Sequence, residues 1–471
     1  MKKMLYINKK MLAILAFFSL LAVSCKKLIE IPPNPPNQIP ASQVFADSAD
    51  IMSAVAGVYA NMKVSAYNPS FVSGSITFNT GLTGDELNSS STSYRNFLQN
   101  AITVDDGTIQ GMWKNAYSDI YQINACLEGI AGATVISVPL KQQLRGELKV
   151  IRALYYFNLV NLWGGVPLVT GIDYTINASL PRAAVDSAYA LIKSDLADAR
   201  SALSPNYPSL IKARPNLYTA EALSAKVYLY RQQWDSAAYM AGQVIQSGKY
   251  SLEQDLNSVF LHGSSEAIWQ LPANSTSYQT AEGASFIPYT SSTVPPLISY
   301  TAPSLPLLNS LLGAFEPGDQ RKSDWVAIVK VNATNYNIAY KYKNRTAVAP
   351  TTEDYMMLRL GEQYLILAEA LAQQNQLSDA LTNLDQVRAR AGLTGSNAVS
   401  QSDVLSAIMH ERQTELFCEA GNRWYDLKRT GAIDNVLGTE KPGLWKPSAA
   451  LYPIPLQEII NNNLLIQNPE Y

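Results

Sequence analysis

The sequence predicts a mainly α-helical protein in which tetratricopeptide-like helical hairpins form a scaffold, with long irregular loops and a few short β-strands. Apolar residues recur at helical spacing over much of the chain. Two distant segments, 225–245 and 368–388, each combine a helix of small and large apolar residues, a Gln-rich turn, a bulky anchor (Trp234 or Leu377) and an alanine three residues later. The stretch 251–350, rich in Gly, Ser, Thr and Pro, separates them and supplies loops and strands.

The same periodicity places the individual helices. We predict a first helix with Ser48 as its N-cap, followed by an irregular loop rich in Ser, Asn and Thr at 73–96. Further helices are expected at 112–130, 144–163, 184–203, 358–373, 378–391 and 402–419, before an irregular C-terminal tail. Short β-like pieces are expected at 267–271, 325–331 and 336–342.

The segment LRGELKVIRALYYFNLVNLWGGVPLV, residues 144–169, is distinctive but carries no evident catalytic group. We expect Tyr155 and Trp163 to pack into the core. Gly164-Gly165 should end the helix, and Pro167 should prevent its resumption. The segment therefore indicates scaffold and not chemistry.

The first 40 residues are interpreted as a lipoprotein signal peptide (1–24) followed by a lipidated Pro-rich tether (25–40). Four lysines precede an apolar run at 11–21 that is too short to span a bilayer, which is typical of a secretory signal. The run ends in LAVSC, which resembles a bacterial lipobox, so we predict that Cys25 is lipidated. A plain cleaved signal peptide and an uncleaved anchor are the alternatives.

Composition argues against several classes of protein. With 36 Lys plus Arg and 38 Asp plus Glu, the net charge of −2 offers no basic surface for nucleic acid. Only two histidines are present, and no zinc, nucleophile-elbow or phosphate-loop motif occurs. No cofactor is predicted, and structural calcium stays open because the turn at 105–107 has only part of a calcium loop. Cys126 and Cys418 are expected to be buried free thiols.

Charged residues recur near helical spacing in IMHERQTELFCEAGNRWYDLKRTG, residues 408–431. This spacing predicts ion pairs between successive turns of a helix surface. We also expect Arg423 and Asp426 to form a bidentate pair that stabilises the end of this helix. A structural role is favoured over a catalytic one for these residues.

Eight segments in order resemble the SusD/RagB family of surface lipoproteins. They extend over nearly the whole mature chain: FADSADIMSAVAGVYANM, INACLEGI, LRGELKVIRALYYFNLVNLWGGVPLV, LPRAAVDSAYALIKSDLADARSAL, ALSAKVYLYRQQWDSAAYMAGQVIQSGKY, LRLGEQYLILAEAL, ERQTELFCEAGNRWYDLKRTG and LYPIPLQEIINNNLLIQNPEY. The resemblance implies one SusD-like domain at 41–471, with an N-terminal part at about 41–250, a loop-rich insertion at about 251–350 and a C-terminal part at about 351–471.

The resemblance also implies a lipoprotein of the outer membrane, exposed at the cell surface, that captures glycan fragments without catalysis. Its implied partner is a SusC-like TonB-dependent transporter, to which it passes the nutrient. Binding of a peptide or protein by the same scaffold is the second hypothesis. A glycosidase, which would need two facing carboxylates in a cleft, is the third and least favoured.

The ligand contacts of this family lie in variable loops, so physical reasoning has to place the site. An exposed aromatic ring covers the apolar face of a sugar, while Asp, Asn, Gln or Arg bind its hydroxyls. Both ingredients occur in the loop at 84–96 and in the stretch 274–300, which we expect to form one face. The candidate ligand residues are Asp85, Asn88, Tyr94, Arg95, Asn274, Tyr278, Phe286, Tyr289 and Tyr300, with no catalytic or metal-binding residue among them.

Overall fold

The computed structural model describes residues 41–63, 69–273 and 277–471. The predicted signal peptide, Cys25, the Pro-rich tether and Asn274 lie outside the described residues. The first helices are α1 (Ala41–Val44), α2 (Ser48–Asn61), α3 (Ser75–Thr83), α4 (Arg95–Leu98), α5 (Gly107–Gly132), α6 (Val138–Trp163), α7 (Tyr174–Asn177), α8 (Val185–Ala202), α9 (Leu217–Tyr230) and α10 (Trp234–Gln246). They are followed by α11 (Ala281–Phe286), α12 (Asn309–Ala314), α13 (Gln320–Asp324), α14 (Leu360–Gln373), α15 (Leu377–Arg390), α16 (Gln401–Glu415), α17 (Asn422–Arg429), α18 (Ile433–Glu440) and α19 (Leu456–Asn461).

Two small sheets accompany these helices. The strands are β1 (Ala267–Pro272), β2 (Leu297–Ile298), β3 (Val326–Val331), β4 (Thr334–Ala339) and β5 (Asp354–Arg359). β1 pairs antiparallel with β5. β3 lies in the middle of the second sheet, parallel to β2 and antiparallel to β4. Three strands thus lie where the sequence predicts β-like pieces, and β4 ends at Ala339, earlier than expected.

The long helices stack side by side and form the scaffold. α2 packs on α5, α5 on α6, α6 on α8, α8 on α9 and α9 on α10. α10 then packs directly on α14, which continues the stack through α15 and α16. The two hairpins recognised in the sequence are therefore neighbours in space, although the loops and sheets of 251–350 separate them along the chain. The predicted fold class is confirmed.

The two hairpins turn in the same way. The residue two positions before each bulky anchor has a positive φ, 55° at Gln232 and 60° at Asn375. A left-handed residue at this point ends the first helix and reverses the chain. Behind the anchors Trp234 and Leu377, buried alanines such as Ala237 and Ala380 let the paired helices approach closely.

The C-terminal end of α6 joins distant parts of the chain. Gly164 has a φ of 75° and ends the helix, and a Cβ at Gly165 would lie 2.4 Å from the carbonyl oxygen of Ala183. The indole N–H of Trp163 donates to the carbonyl of Pro453 at 2.9 Å. The expected helix stop and the inward packing of Tyr155 and Trp163, both 0% exposed, are confirmed.

The predicted loop at 73–96 is wrong in its first half, because α3 is a helix in which every residue is buried. Its serine and threonine side chains indicated a loop in the sequence. In the structure they bond to carbonyls of their own helix: the hydroxyl of Thr80 donates to Ile76 at 2.7 Å and that of Thr83 to Asn79 at 2.9 Å. Polar residues satisfied in this way can be buried.

The N-cap of α2, the end of α16 and the C-terminal tail also differ from the prediction. Asp47, and not Ser48, caps α2, since its carboxylate accepts from the backbone N–H of Ala49 at 2.7 Å. The helix expected at 402–419 ends at Glu415, because Cys418, Ala420 and Gly421 have positive φ. The tail expected to be irregular contains α17, α18 and α19.

The acidic turn at 105–107 and the two cysteines are local features that the structure describes. Asp106 accepts from the backbone N–H of Thr108 at 2.8 Å and caps α5, which accounts for one acid of the 105–107 turn. Cys126 and Cys418 are both buried and free, as expected. Burial raises the pKa of Cys126 to about 11.

In the charged segment 408–431, ion pairing between successive turns of one helix is confirmed only for Arg429 with Asp426 among the described residues, and the segment is not a solvated surface. Glu411, Arg412 and Glu415 are at most 2% exposed, so their partners come from other elements. Arg412 and Arg429 both bind Asp426 at 2.7 Å. The expected pair of Arg423 with Asp426 does not form, because Asp426 is occupied and Arg423 binds Asp85 instead.

Glu415 is the centre of this buried network. It accepts from Arg321 at 3.0 Å and from Arg359 and Arg390. Glu266 binds the last two arginines again, each at 2.9 Å. Burial alone would raise the pKa of Glu415, but the three arginines outweigh it and hold that pKa well below its ordinary value. We call these five residues the Glu415 cluster.

Neutralising the central carboxylate should destabilise the fold. We expect Glu415→Gln to lower the free energy of unfolding by about 3–5 kcal/mol, because three buried guanidinium groups lose a shared counter-charge. Urea unfolding followed by circular dichroism measures the change. The matched control, Glu440→Gln, alters an exposed glutamate and should shift the value by less than about 0.5 kcal/mol. Equal effects in the two variants would contradict a central role for Glu415.

Candidate functional site

The two loops chosen from the sequence meet at one cleft. Its volume is about 230 Å³. It is lined by Tyr94, Ala284, Ser285, Pro288, Tyr289, Thr301, Ala302, Ser304, Leu305 and Arg345. Tyr94 comes from the first loop, and most of the other residues come from α11 and the stretch after it. The structure thus brings together Tyr94 and Tyr289, two of the candidate ligand residues.

Backbone hydrogen bonds hold the first loop against residues 306–308, which follow the second loop in the chain. The N–H of Asn88 donates to the carbonyl of Pro306 at 2.8 Å, and the N–H of Leu308 donates to the carbonyl of Glu86 at 3.0 Å. These bonds flank a β-bridge between Leu87 and Leu307. Because main-chain bonds fix this contact, the cleft is a preformed feature of the fold.

Tyr289 and Arg345 form one wall of the cleft. The guanidinium carbon of Arg345 lies 3.9 Å from the centre of the Tyr289 ring. Its Nη1 donates to the carbonyl oxygens of Ala284 and Ile287 and holds the guanidinium in place. Tyr289 is 67% exposed. Hydrogen bonding to Arg345 and the charge of Arg345 lower the pKa of the Tyr289 phenol.

The remaining lining combines an aromatic ring with hydroxyl groups. Tyr94 is half-buried, and this burial raises the pKa of its phenol. Ser285, Thr301 and Ser304 supply side-chain hydroxyls. Tyr300 is adjacent to Thr301 in the chain and is 88% exposed. Aromatic surface beside neutral hydroxyls matches the apolar faces and hydroxyl rims of sugars.

Three other candidate residues are buried in the structure. Asp85 is buried and binds Arg423 at 2.6 Å, which ties the first loop to α17. Phe286 is buried with its ring edge-on to Phe78 at 5.5 Å. Tyr278 is buried as well. Burial therefore removes these three from the candidate site. Asn88 and Arg95 are exposed outside the cleft lining, and Asn274 lies outside the described residues.

Sequence reasoning missed Arg345, the single charged residue of the lining. It lies in the stretch 251–350 but outside 274–300, the part from which the candidate residues were taken. One feature of the sequence indicates it: between Lys343 and Pro350 there is no acidic residue that could pair locally with this arginine. Its stacking on Tyr289 is a long-range contact that the sequence pattern does not contain.

The cleft shows no arrangement for hydrolysis or metal binding. Its lining has no Asp or Glu, so it lacks the facing carboxylates that glycoside hydrolysis requires. Across residues 41–63, 69–273 and 277–471, no group of three or more His, Cys, Asp or Glu side chains is placed to hold a metal ion. The arrangement suits binding by stacking and hydrogen bonding.

The helix α11 lies between the cleft and the core. Ala284 and Ser285 face the cleft, whereas Glu282 is buried. Hydrogen bonding to Thr77 and Tyr355 favours the charged form of Glu282, but the loss of water around the buried carboxylate outweighs it. This burial raises the pKa of Glu282 to about 7. The helix that lines the cleft therefore carries a buried glutamic acid, Glu282, which is protonated in the folded protein under mildly acidic conditions.

The fold and the cleft define a binding protein on a helical scaffold. A family model described as "Starch-binding associating with outer membrane" matches residues 35–229, and one described as "SusD family" matches residues 316–471. Together the two matches cover more than half of the chain. The chain belongs to the SusD family. No helix among the described residues is long and apolar enough to cross a membrane.

Relatives match nearly the full length. The chain is 24% identical to SusD-like protein P25 of Formosa agariphila, covering 94% of this chain and 95% of the relative. A SusD superfamily protein from Bacteroides vulgatus has the same fold, with a TM-score of 0.77 at 20% identity over 90% of this chain and 99% of the other. A laminarin-binding SusD-like protein gives a TM-score of 0.74 at 25% identity over 90% and 100%.

Removing the charge of Glu282 should change the pH dependence of stability. Its folded pKa is raised from 4.5 to about 7, so as the pH rises the unfolded chain loses this proton before the folded protein does. Ionisation of Glu282 therefore lowers the free energy of unfolding as the pH rises through that range. We expect Glu282→Gln to gain stability over the unmodified protein between about pH 5 and pH 8, by up to about 3 kcal/mol. Urea unfolding at several pH values measures the gain.

The control for this series is Glu440→Gln, which changes an exposed glutamate. Its difference from the unmodified protein should stay flat over the same pH range. If the gain of Glu282→Gln were equally flat, the buried, protonated state assigned to Glu282 would be wrong.

Proposed function

We propose that this protein is a surface lipoprotein that binds oligosaccharides in the cleft and does not cleave them. The observation that carries the proposal is that Tyr94 and Tyr289 line the same preformed cleft together with side-chain hydroxyls. The laminarin-binding relative supports a carbohydrate as the ligand, and the absence of carboxylates from the lining supports binding without hydrolysis.

The exposed ring of Tyr289 offers a platform for the C–H face of a sugar. Arg345 covers part of this ring and holds its orientation, so little side-chain freedom is lost on binding. Ser285, Thr301 and Ser304 then exchange hydrogen bonds with sugar hydroxyls. Tyr300 extends the aromatic surface beyond the cleft, which favours a ligand longer than one sugar.

The proposal includes the place of the protein in the cell. Lipidation at Cys25 would hold it on the outer membrane, and the tether at 25–40 would separate the domain at 41–471 from the lipid. In this arrangement the protein delivers its ligand to a SusC-like TonB-dependent transporter. The family description that mentions the outer membrane supports this location.

Truncating either cleft tyrosine should weaken binding. We expect Tyr289→Ala and Tyr94→Ala each to reduce the affinity for an oligosaccharide identified on a glycan array on the order of tenfold, because each loses a stacking surface. Isothermal titration calorimetry of the full-length protein in detergent measures the affinity. The control is Tyr239→Ala, which removes a 58% exposed tyrosine of α10. Unchanged affinity in both cleft variants would refute this site.

Replacing Cys25 should release the protein from the membrane. We expect Cys25→Ala to lose incorporation of an alkyne-labelled fatty acid and to leave the membrane fraction, since two or more acyl chains provide stable anchoring. Cys126→Ala serves as the control, because it also removes a thiol but lies in the buried part of α5. Retained labelling in Cys25→Ala would show that the cysteine is not the lipidation site.

A further inference from the structure

The charge in the cleft favours one class of oligosaccharide. We propose that the cleft prefers anionic glycans, in which Arg345 binds a uronate carboxylate or a sulfate ester. The inference rests on the proposed function, because it names the chemical class of the ligand for the same site. The inference is based on the hydrogen-bond partners of Arg345, the one charged residue of the lining.

Arg345 has no carboxylate partner among the described residues. Arginines of the core are neutralised: Arg423 binds Asp85, Arg412 binds Asp426, and the Glu415 cluster shares its charges. Arg345 instead donates from Nη1 to two backbone carbonyls, and its Nε is buried without a hydrogen-bond partner. The half-buried guanidinium of Arg345 therefore has dipolar partners but no carboxylate at the cleft, where an anionic ligand group would complete its ion pairing.

The position of the guanidinium suits an anionic group on a stacked sugar. The two carbonyl contacts and the Tyr289 ring fix its plane, so the group is pre-organised. A pyranose beside Tyr289 would carry its carboxylate or sulfate at the edge of the sugar ring, next to the guanidinium. Because Nη1 is occupied by the two carbonyls and Nε is buried, an anion would accept from Nη2. The charge of the carboxylate or sulfate strengthens that hydrogen bond, whereas a neutral hydroxyl carries no charge.

The test compares anionic oligosaccharides with neutral ones of the same linkage. The probes are a tetragalacturonate and its carboxyl-reduced form, and a sulfated carrageenan tetrasaccharide and its desulfated form. Titration of the full-length protein in detergent at low salt should show at least one anionic probe binding roughly tenfold more tightly than its neutral counterpart. The pair that shows the difference distinguishes carboxylate from sulfate.

Two further measurements connect the preference to Arg345. Raising the salt from about 0.05 M to about 0.5 M should reduce the preference in the unmodified protein, because salt screens the ion pair. Arg345→Gln keeps a hydrogen-bond donor but no charge and should remove the preference, whereas Arg345→Lys keeps the charge and should retain part of it. Circular dichroism checks that both variants fold.

The outcomes separate this inference from the proposed function. Equal or tighter binding of the neutral probes overturns the anionic preference and leaves oligosaccharide binding in place. A preference that survives in Arg345→Gln overturns the role of Arg345. Failure of all four probes to bind counts against both the preference and the cleft as a glycan site.

Discussion

The fold depends on the pairing of buried opposite charges around Glu415. Three arginines from different parts of the chain converge on this carboxylate in the interior, and Glu266 shares two of them. Each of these charges would be costly alone, since removal from water outweighs a single ion pair. The cluster is stable only when α13, α15, α16 and the end of β5 are all in place, so it specifies their mutual arrangement.

The same network positions the cleft. Lys341, four residues before Arg345 in the chain, lies next to the cluster. It donates to the carbonyls of Glu415 and Phe417 and forms an ion pair with Glu419. On the other wall, the carboxylate of Glu86 accepts from the backbone N–H of Cys418 at 2.9 Å, directly before the β-bridge of Leu87 with Leu307. Both walls are thus attached to the turn that follows α16. A variable ligand surface can be built on such a turn because the buried charges, and not the loops, hold the geometry.

Much of the scaffold could be predicted from local pattern. The hairpins, the stop after Trp163 and the free thiols follow from helical periodicity, turn residues and cysteine context. Two of the errors have one cause. The segment of α3 was predicted as a loop because its hydroxyl side chains are typical of solvated residues, and 408–431 was predicted as a surface because charged side chains are usually exposed. In both cases the partners that satisfy the polar groups lie in the same helix or far along the chain. Of the candidate ligand residues, Tyr94 and Tyr289 reach the cleft, while Asp85 and Phe286 are buried in the structure.

The sequence by itself determines most of the long helices, where the paired helices turn and which family the chain resembles, because these features depend on residues close together in the chain. Residue type and spacing also restricted the candidate ligand site to two loops. The stacking of the distant hairpins, the partners of Glu415 and the contact of Arg345 with Tyr289 depend instead on long-range packing. A charged side chain has the same local sequence whether it is solvated, paired in the core or left unpaired at a cleft. Its role is therefore set by the neighbours that folding brings to it.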